Sequence, residues 1–256
     1  MRESSFSWAR WCRRGLAGIV LGLAMGPVAN VHADTLLIVG DSLSAAHGIE
    51  REAGWVALLR ERVGDAHEVV NASISGDTTS GGAARLPDLL ERHSPDIVLL
   101  ELGGNDGLRG LSPQQMKLNL RTMIEKSQAA DARVLLLGIE IPPNYGAAYT
   151  DAFRGVFRQL SEEYAVPLVP FILDGVALQD DMMQEDGIHP NAAAQPIILD
   201  NVWEKLGPML SRDTDRNECP VRGFPAPCAC LASHVDRASS QANAFLTRRR
   251  CLRARG

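Results

Sequence analysis

The sequence predicts an α/β fold: a three-layer α/β/α sandwich around a parallel five-stranded sheet of flavodoxin type. Two observations carry this. Between Asp34 and Leu210, short apolar runs alternate with segments whose apolar residues recur at spacings of three and four. Strand and helix in such alternation are satisfied by a parallel sheet covered on both faces through right-handed crossovers. The first three apolar runs also each lead into a short polar segment, and in open parallel sheets ligands sit outside the carboxyl ends of the strands.

The elements follow in order. Residues 36–39, Leu-Leu-Ile-Val, read as the first strand, residues 68–70 as the second and residues 97–100 as the third. Residues 55–59 give one apolar helix face, and Leu86, Leu89 and Leu90 give a second. Ser112 and Pro113 open a third helix, with serine at the cap and proline in the first turn. Leu118, Met123 and Ile124 fall on its expected buried side. Residues 134–137 make the fourth strand, 152–164 the fourth helix, 167–171 the fifth strand and 191–210 the closing helix.

The flanks read differently from this body. Arg2, Arg10, Arg13 and Arg14 precede an apolar run from Gly15 to Ala29, and Val31-His32-Ala33 then presents residues a signal peptidase accepts. Residues 1–33 are therefore expected to be a secretory signal cut after Ala33, which makes the protein periplasmic or secreted. The apolar run is too short and glycine-rich to span a bilayer comfortably. Residues 211–256 mix Pro, Ser, Ala and Arg without apolar period and are expected to be a disordered basic tail.

Charge and cysteine divide the same way. Residues 34–210 carry 13 Lys and Arg against 26 Asp and Glu and no cysteine, whereas Cys219, Cys228, Cys230 and Cys251 all lie in the tail. An acidic body argues against nucleic acid as a partner, because phosphate binding needs a basic surface. The tail cysteines with His234 match no trusted zinc spacing, so no metal is expected.

Four segments carry the chemistry: Gly40-Asp41-Ser42-Leu43, Ser75-Gly76-Asp77, Gly103-Gly104-Asn105-Asp106 and Asp186-Gly187-Ile188-His189. Ser42 directly follows a strand and precedes an expected helical turn near Leu43, whose positive dipole end would lie behind the hydroxyl. A serine hydroxyl needs a base to become a nucleophile. His189 is the candidate, because His47, His67 and His93 sit in contexts without a partnered acid. Asp186, one turn before it, can reach Nδ1 while Nε2 faces the serine. An oxyanion needs donors, and the Ser42 N–H, the Gly76 N–H and the Asn105 side-chain amide can converge from three strand ends.

Taken singly, each segment has a plainer reading. Gly-Asp-Ser-Leu can cap a helix, Gly76 and the Gly81-Gly82 pair can be turn glycines, and Asp-Gly-Ile-His-Pro can be a surface turn. Asp41 and Asp106 read as local hydrogen-bond braces rather than as the acid paired with His189. Together, after these strands and at these intervals, the four segments point to a serine hydrolase.

The four segments resemble the Ser, Gly, Asn and His blocks of the SGNH (GDSL) hydrolase superfamily. The wording of residues 33–38, 70–78, 102–110 and 186–191, with Ala194-Gln195-Pro196, is similar to its periplasmic thioesterase I/protease I/lysophospholipase branch, often labelled arylesterase. The resemblance implies Ser42, Asp186 and His189 as catalytic residues, with Ser42, Gly76 and Asn105 as oxyanion donors and no cofactor or metal. It also implies that Gly103 to Gly110 is a mobile loop closing on substrate, and that Gly104, Leu108, Ile141 and Pro142 bind it. Glu140 stands where such relatives carry a basic residue, which would weaken recognition of anionic substrates such as acyl-CoA.

The expected activity is hydrolysis of small-molecule acyl esters and thioesters, including lysophospholipids, through an acyl-serine intermediate. A carbohydrate O-deacetylase uses the same four blocks and is the competing enzymatic reading. A non-catalytic lipid-binding module would show a broken set of blocks, and here all four are intact.

Overall fold

A computed structural model describes residues 33–216 of the chain. Strands β1 (Thr35–Gly40), β2 (Glu68–Asn71), β3 (Ile97–Glu101), β4 (Arg133–Leu137) and β5 (Leu168–Val169) form one parallel sheet in the order β2-β1-β3-β4-β5. That is the flavodoxin-type order. Leu36 of β1 pairs with Val69 on one side and Ile97 on the other, which sets the register of the central strands. Strands buried on both faces need continuous rather than alternating apolar sequence. Residues 36–39 and 97–100 are accordingly wholly buried, whereas the edge strand β2 leaves Glu68 and Asn71 exposed.

Helices α1 (Trp55–Val63) and α6 (Gln195–Arg216) pack together, as do α2 (Thr79–His93), α4 (Pro113–Ala129) and α5 (Ala147–Tyr164). These two groups are the outer layers of the expected sandwich. Trp55 is wholly buried, and its backbone N–H donates to the buried Gln195 side chain at 3.0 Å, joining the starts of α1 and α6. Such a bond matters because the first N–H groups of a helix have no partner within it. Gly82 lets α2 approach the end of β3, since a Cβ there would lie 2.2 Å from Leu102 Cδ1.

Several expectations need correction. Leu118 is 50% exposed rather than buried, because α4 turns Met116, Leu120, Met123 and Ile124 inward instead. Ser112 is the cap residue of α4 by position, but its hydroxyl bonds to Gln114 and makes no capping bond. Gly81 and Gly82 lie within α2 and are not turn residues. The fourth expected helix begins at Ala147, ahead of residue 152, and only Leu168 and Val169 of the fifth run pair as strand. The last helix starts at Gln195, after a 3₁₀ turn capped by Asn191, and runs past Leu210 to Arg216. Residues 211–216, expected to open a disordered tail, instead continue α6, while the rest of that tail and residues 1–32 of the expected export signal lie outside the described residues.

Among the described residues, no helix is long and apolar enough to cross a membrane. In a parallel sheet every strand ends at the same edge. The segments after β1, β2, β3 and β5 carry Ser42, Gly76, Asn105 and His189 respectively.

Candidate active site

The chain leaves β1 through a tightly packed corner. A Cβ at Gly40 would lie 2.7 Å from Glu101 Oε2 and 2.8 Å from Ser44 Oγ, so only glycine fits. Asp41 N–H and Ser44 Oγ both donate to Glu101 Oε2, at 3.2 and 2.8 Å, and Asp41 Oδ1 accepts the Leu43 N–H at 3.1 Å. Ser42 is therefore held on a turn clamped from both sides. The segment after it makes a single helical turn, Ala45 N–H to Asp41 O, and then widens into the His47 N–H to Ser42 O turn instead of continuing as a helix.

His189 Nε2 lies 2.9 Å from Ser42 Oγ, and its Nδ1 lies 2.6 Å from Asp186 Oδ2. The other oxygen, Asp186 Oδ1, accepts the N–H groups of Ile188 and His189 at 2.9 and 3.0 Å. One carboxylate thus shapes the turn and orients the ring, with Gly187 at φ +64° completing the turn. The His189 backbone N–H, the His189 ring and the Ile188 N–H, in that order, hold the Asp186 carboxyl well below the ordinary carboxylate range. It is ionised wherever the imidazole needs an anionic partner.

Asn105 lies in the short helix α3 (Gly104–Leu108), which occupies most of the segment expected to be a mobile loop. Its Nδ2 donates to Asp41 Oδ2 at 3.0 Å, leaving the second amide hydrogen free of that bond. Gly76 adopts φ +80°, and a Cβ there would meet nothing nearer than Arg109 Nη2 at 3.9 Å. Glycine is required by this left-handed backbone rather than by crowding. No hydrogen bond among the described residues engages the N–H of Ser42 or of Gly76. These N–H groups and the Asn105 amide are available donors of the kind a developing oxyanion uses.

Buried acids lie directly beneath. Burial pushes Glu101 well above its ordinary value, reinforced by the neighbouring Asp41, and its Oε1 has no partner among the described residues. Burial likewise raises Asp41 to about 6, against the opposing pull of the Leu43 N–H, the Asn105 amide and His189. The two acids cannot both ionise cheaply in so dry a place. Asp106, the other expected brace, accepts from Thr79 N–H at 2.8 Å and Thr79 Oγ1 at 2.6 Å, fastening α3 to α2.

The expected substrate-binding residues lie around α3 and the segment after β4. Ile141 is buried against Gly107, where a Cβ would come within 2.4 Å of its Cγ2, and Gly104 faces Asp41 and Ile139. Leu108 is half-buried, its carbonyl accepting the Tyr145 hydroxyl at 2.8 Å, while Pro142 is exposed. Glu140 is paired with Arg154 at 3.3 Å. Among the described residues no group of three or more His, Cys, Asp or Glu is placed to hold a metal ion.

Five residues that sequence reasoning did not place at the site support it. Arg85 of α2 binds Asp77 Oδ2 at 2.8 Å and the carbonyls of Ala72 and Gly40, tying the Gly76 segment to the end of β1. Arg109 Nη2 donates to Gly76 O at 2.9 Å. Gln184 donates from Nε2 to His47 O and Pro190 O, at 2.8 and 2.9 Å, joining the histidine segment to the serine turn. Glu101 had one visible signal, a charge terminating an apolar strand; Arg85, Arg109 and Gln184 had none. The remaining residue, His47, lies tilted against His189 with ring centroids 4.4 Å apart. His67 corrects an expectation, since its Nδ1 lies 3.7 Å from Asp34 Oδ2, beside the amino end of β1 and away from Ser42.

Comparison with known proteins places these residues in context. A family profile, that of the GDSL-like Lipase/Acylhydrolase family, matches residues 38–196. The chain is 55% identical over 181 residues to Esterase TesA of Pseudomonas aeruginosa, covering 70% of this chain and 90% of that one. It is 50% identical over 182 residues to Thioesterase 1/protease 1/lysophospholipase L1 of Escherichia coli, covering 71% and 88%. Among solved structures, TesA superposes with a TM-score of 0.67 at 54% identity, covering 68% of this chain and 99% of that one. The psychrotrophic esterase EstA from Pseudoalteromonas, inhibited by monoethylphosphonate, gives 0.66 at 44% identity, covering 70% and 99%.

Proposed function

The chain belongs to the GDSL-like lipase/acylhydrolase family, and on that premise we propose that it is a serine esterase hydrolysing acyl esters and thioesters through an acyl-serine intermediate. One observation carries this reading: the unbroken hydrogen-bonded series from Ser42 Oγ through His189 to Asp186. Ser42 Oγ attacks the acyl carbonyl as His189 Nε2 takes its proton, and Asp186 keeps the ring in the right tautomer and stabilises its cation. The carbonyl oxygen becomes an oxyanion, met by the N–H groups of Ser42 and Gly76 and by Asn105 Nδ2. His189 then gives the proton to the departing alcohol or thiol. Water repeats the sequence on the acyl-serine and releases the acid.

The substrate class is carried by the names of the relatives, an esterase and a thioesterase and lysophospholipase. Gly104, Leu108, Ile141 and Pro142 are proposed to line the acyl side of the site, and Glu140, held by Arg154, to disfavour anionic leaving groups. Residues 1–33 are proposed as a cleaved export signal that delivers residues 34–210, the hydrolase domain, to the periplasm or beyond. The basic stretch, apolar run and small residues at the cut support that placement.

A series of p-nitrophenyl esters of increasing acyl length, with matched acyl thioesters, tests the reading. Turnover across several chain lengths with activity on thioesters is expected. Activity confined to the acetyl member of the series, with none on thioesters, would favour a deacetylase instead.

A further inference from the structure

His189 is gripped at both ring nitrogens, but two hydrogen bonds in the ring plane leave it free to rock about the axis that joins them. Beside the ring stands His47, whose ring centroid lies 4.4 Å away with the planes inclined at 43°. Tilted aromatic pairs at this separation are in favourable contact. His47 is exposed, lies five residues beyond Ser42 on the same turn, and shares one closely packed recess with Ser42, Ala46, Ile49, His189 and Pro190.

The backbone under His47 is fixed as carefully as the ring is placed. Gln184 Nε2 donates to His47 O and Pro190 O, and the Gln184 backbone N–H donates to His189 O at 2.8 Å. Gly48, at φ +73°, lets this amide approach, since a Cβ there would lie 2.1 Å from Gln184 Oε1. The Met183–Pro190 bridge closes the other side of the segment. One glutamine therefore sets the distance between the turn bearing Ser42 and the segment bearing His189, with the two imidazoles facing each other across the join.

We propose that His47, seated by Gln184, is a positioning residue for His189: its ring is the wall that keeps the imidazole aimed at Ser42 Oγ while the proton moves. This rests on the reading of His189 as the base. A small misplacement of a reacting group lowers the rate steeply without weakening substrate binding. A neighbouring side chain that restrains such a group acts on kcat rather than on KM.

The test compares the full chain with His47→Ala, His47→Phe and His189→Ala, measuring kcat and KM on a soluble p-nitrophenyl ester, Tm, and the downfield Nδ1 proton resonance of the Asp186–His189 pair. His47→Ala is expected to lower kcat about tenfold, with KM and Tm nearly unchanged and the Nδ1 resonance broadened. His47→Phe, which keeps an aromatic wall, is expected to restore most of the rate and the sharp resonance. A wild-type kcat in His47→Ala, a loss that follows Tm or KM, or no rescue by His47→Phe would overturn the inference. His189→Ala separates the two levels. If it keeps its rate, the base assignment itself is wrong; if it is inactive while His47→Ala is normal, only the role of His47 fails.

Discussion

The side chain of Asn105 is anchored to the residue next to the nucleophile: Nδ2 donates to Asp41 Oδ2 at 3.0 Å. A carboxamide has two hydrogens on that nitrogen, and using one fixes the direction of the other. Asp41 is placed in turn by its own N–H bond to Glu101 Oε2. The serine turn and the amide donor, which come from β1 and from the segment after β3, are thus set by one buried pair of acids.

Asn105→Ala is expected to lower kcat by about 10²- to 10³-fold with little change in KM, the signature of a donor used in the transition state. Asp41→Ala keeps the amide but frees it, so a smaller loss of about tenfold in kcat is expected. Steady-state kinetics alongside Tm on the same preparations decide the matter. A fully active but destabilised Asn105→Ala variant would remove Asn105 from the site.

Asp186→Asn is expected to lower kcat by about 10⁴-fold, because an amide at that position favours the wrong imidazole tautomer and cannot stabilise the cation. The folded protein should remain. Asp186 Oδ1 caps two backbone N–H groups, and an asparagine oxygen can accept both. Activity within about tenfold of wild type would show that His189 does not depend on this carboxylate.

Glu101 and Asp186 predict opposite dependences of stability on pH. Glu101 is raised in the folded state by burial, so its contribution is present at low pH and lost as pH rises toward its folded value. Asp186 is lowered, so its contribution is present above the ordinary aspartate value and lost as pH falls below it. Glu101→Gln keeps an acceptor for the Asp41 N–H and Ser44 hydroxyl without a titrating group. It is expected to raise Tm at pH 8 relative to wild type, by about 2–4 °C for each kcal/mol of relieved burial, and to change it little at pH 5. Thermal melts across that range check the sign, and an equal effect at both ends would contradict it.

The strands and the four chemical segments were legible in the sequence because both are local signals. Residues 36–39 and 97–100 are unbroken apolar runs, and a two-sided buried strand has no other way to read. The Asp186-x-x-His189 spacing is likewise local, an aspartate whose side chain can bond the backbone two and three residues on and so hold acid and base together. What was not legible depended on contacts across the fold. Leu118 is the exception, since it lies off the three-and-four recurrence of Met116, Leu120, Met123 and Ile124 and its exposure follows from that local spacing. The helical turn expected after Ser42 stops after one turn, in a segment fastened by the distant Glu101. Arg85, Arg109 and Gln184 each bind backbone carbonyls, and nothing local marks a side chain for that task.

Removal of residues 217–256 is expected to leave kcat and Tm close to those of the full chain. Among the described residues, the core and every segment of the candidate site lie between Asp34 and Leu210, and chain ends commonly tolerate truncation. Kinetics and melting of the shortened protein test this, and a large drop in either would show that those residues support the hydrolase domain.

The central claim is that Ser42 forms a covalent bond to the acyl group, and stoichiometric labelling with an alkyl phosphonate tests it most directly. Intact and peptide mass spectrometry should find one phosphonyl group per chain, on Ser42, with activity falling in proportion to the label. Ser42→Ala should take up none and lose turnover by about 10⁵-fold or more while melting as the wild type does. Label on a different serine, or full activity in a protein labelled at Ser42, would contradict the account.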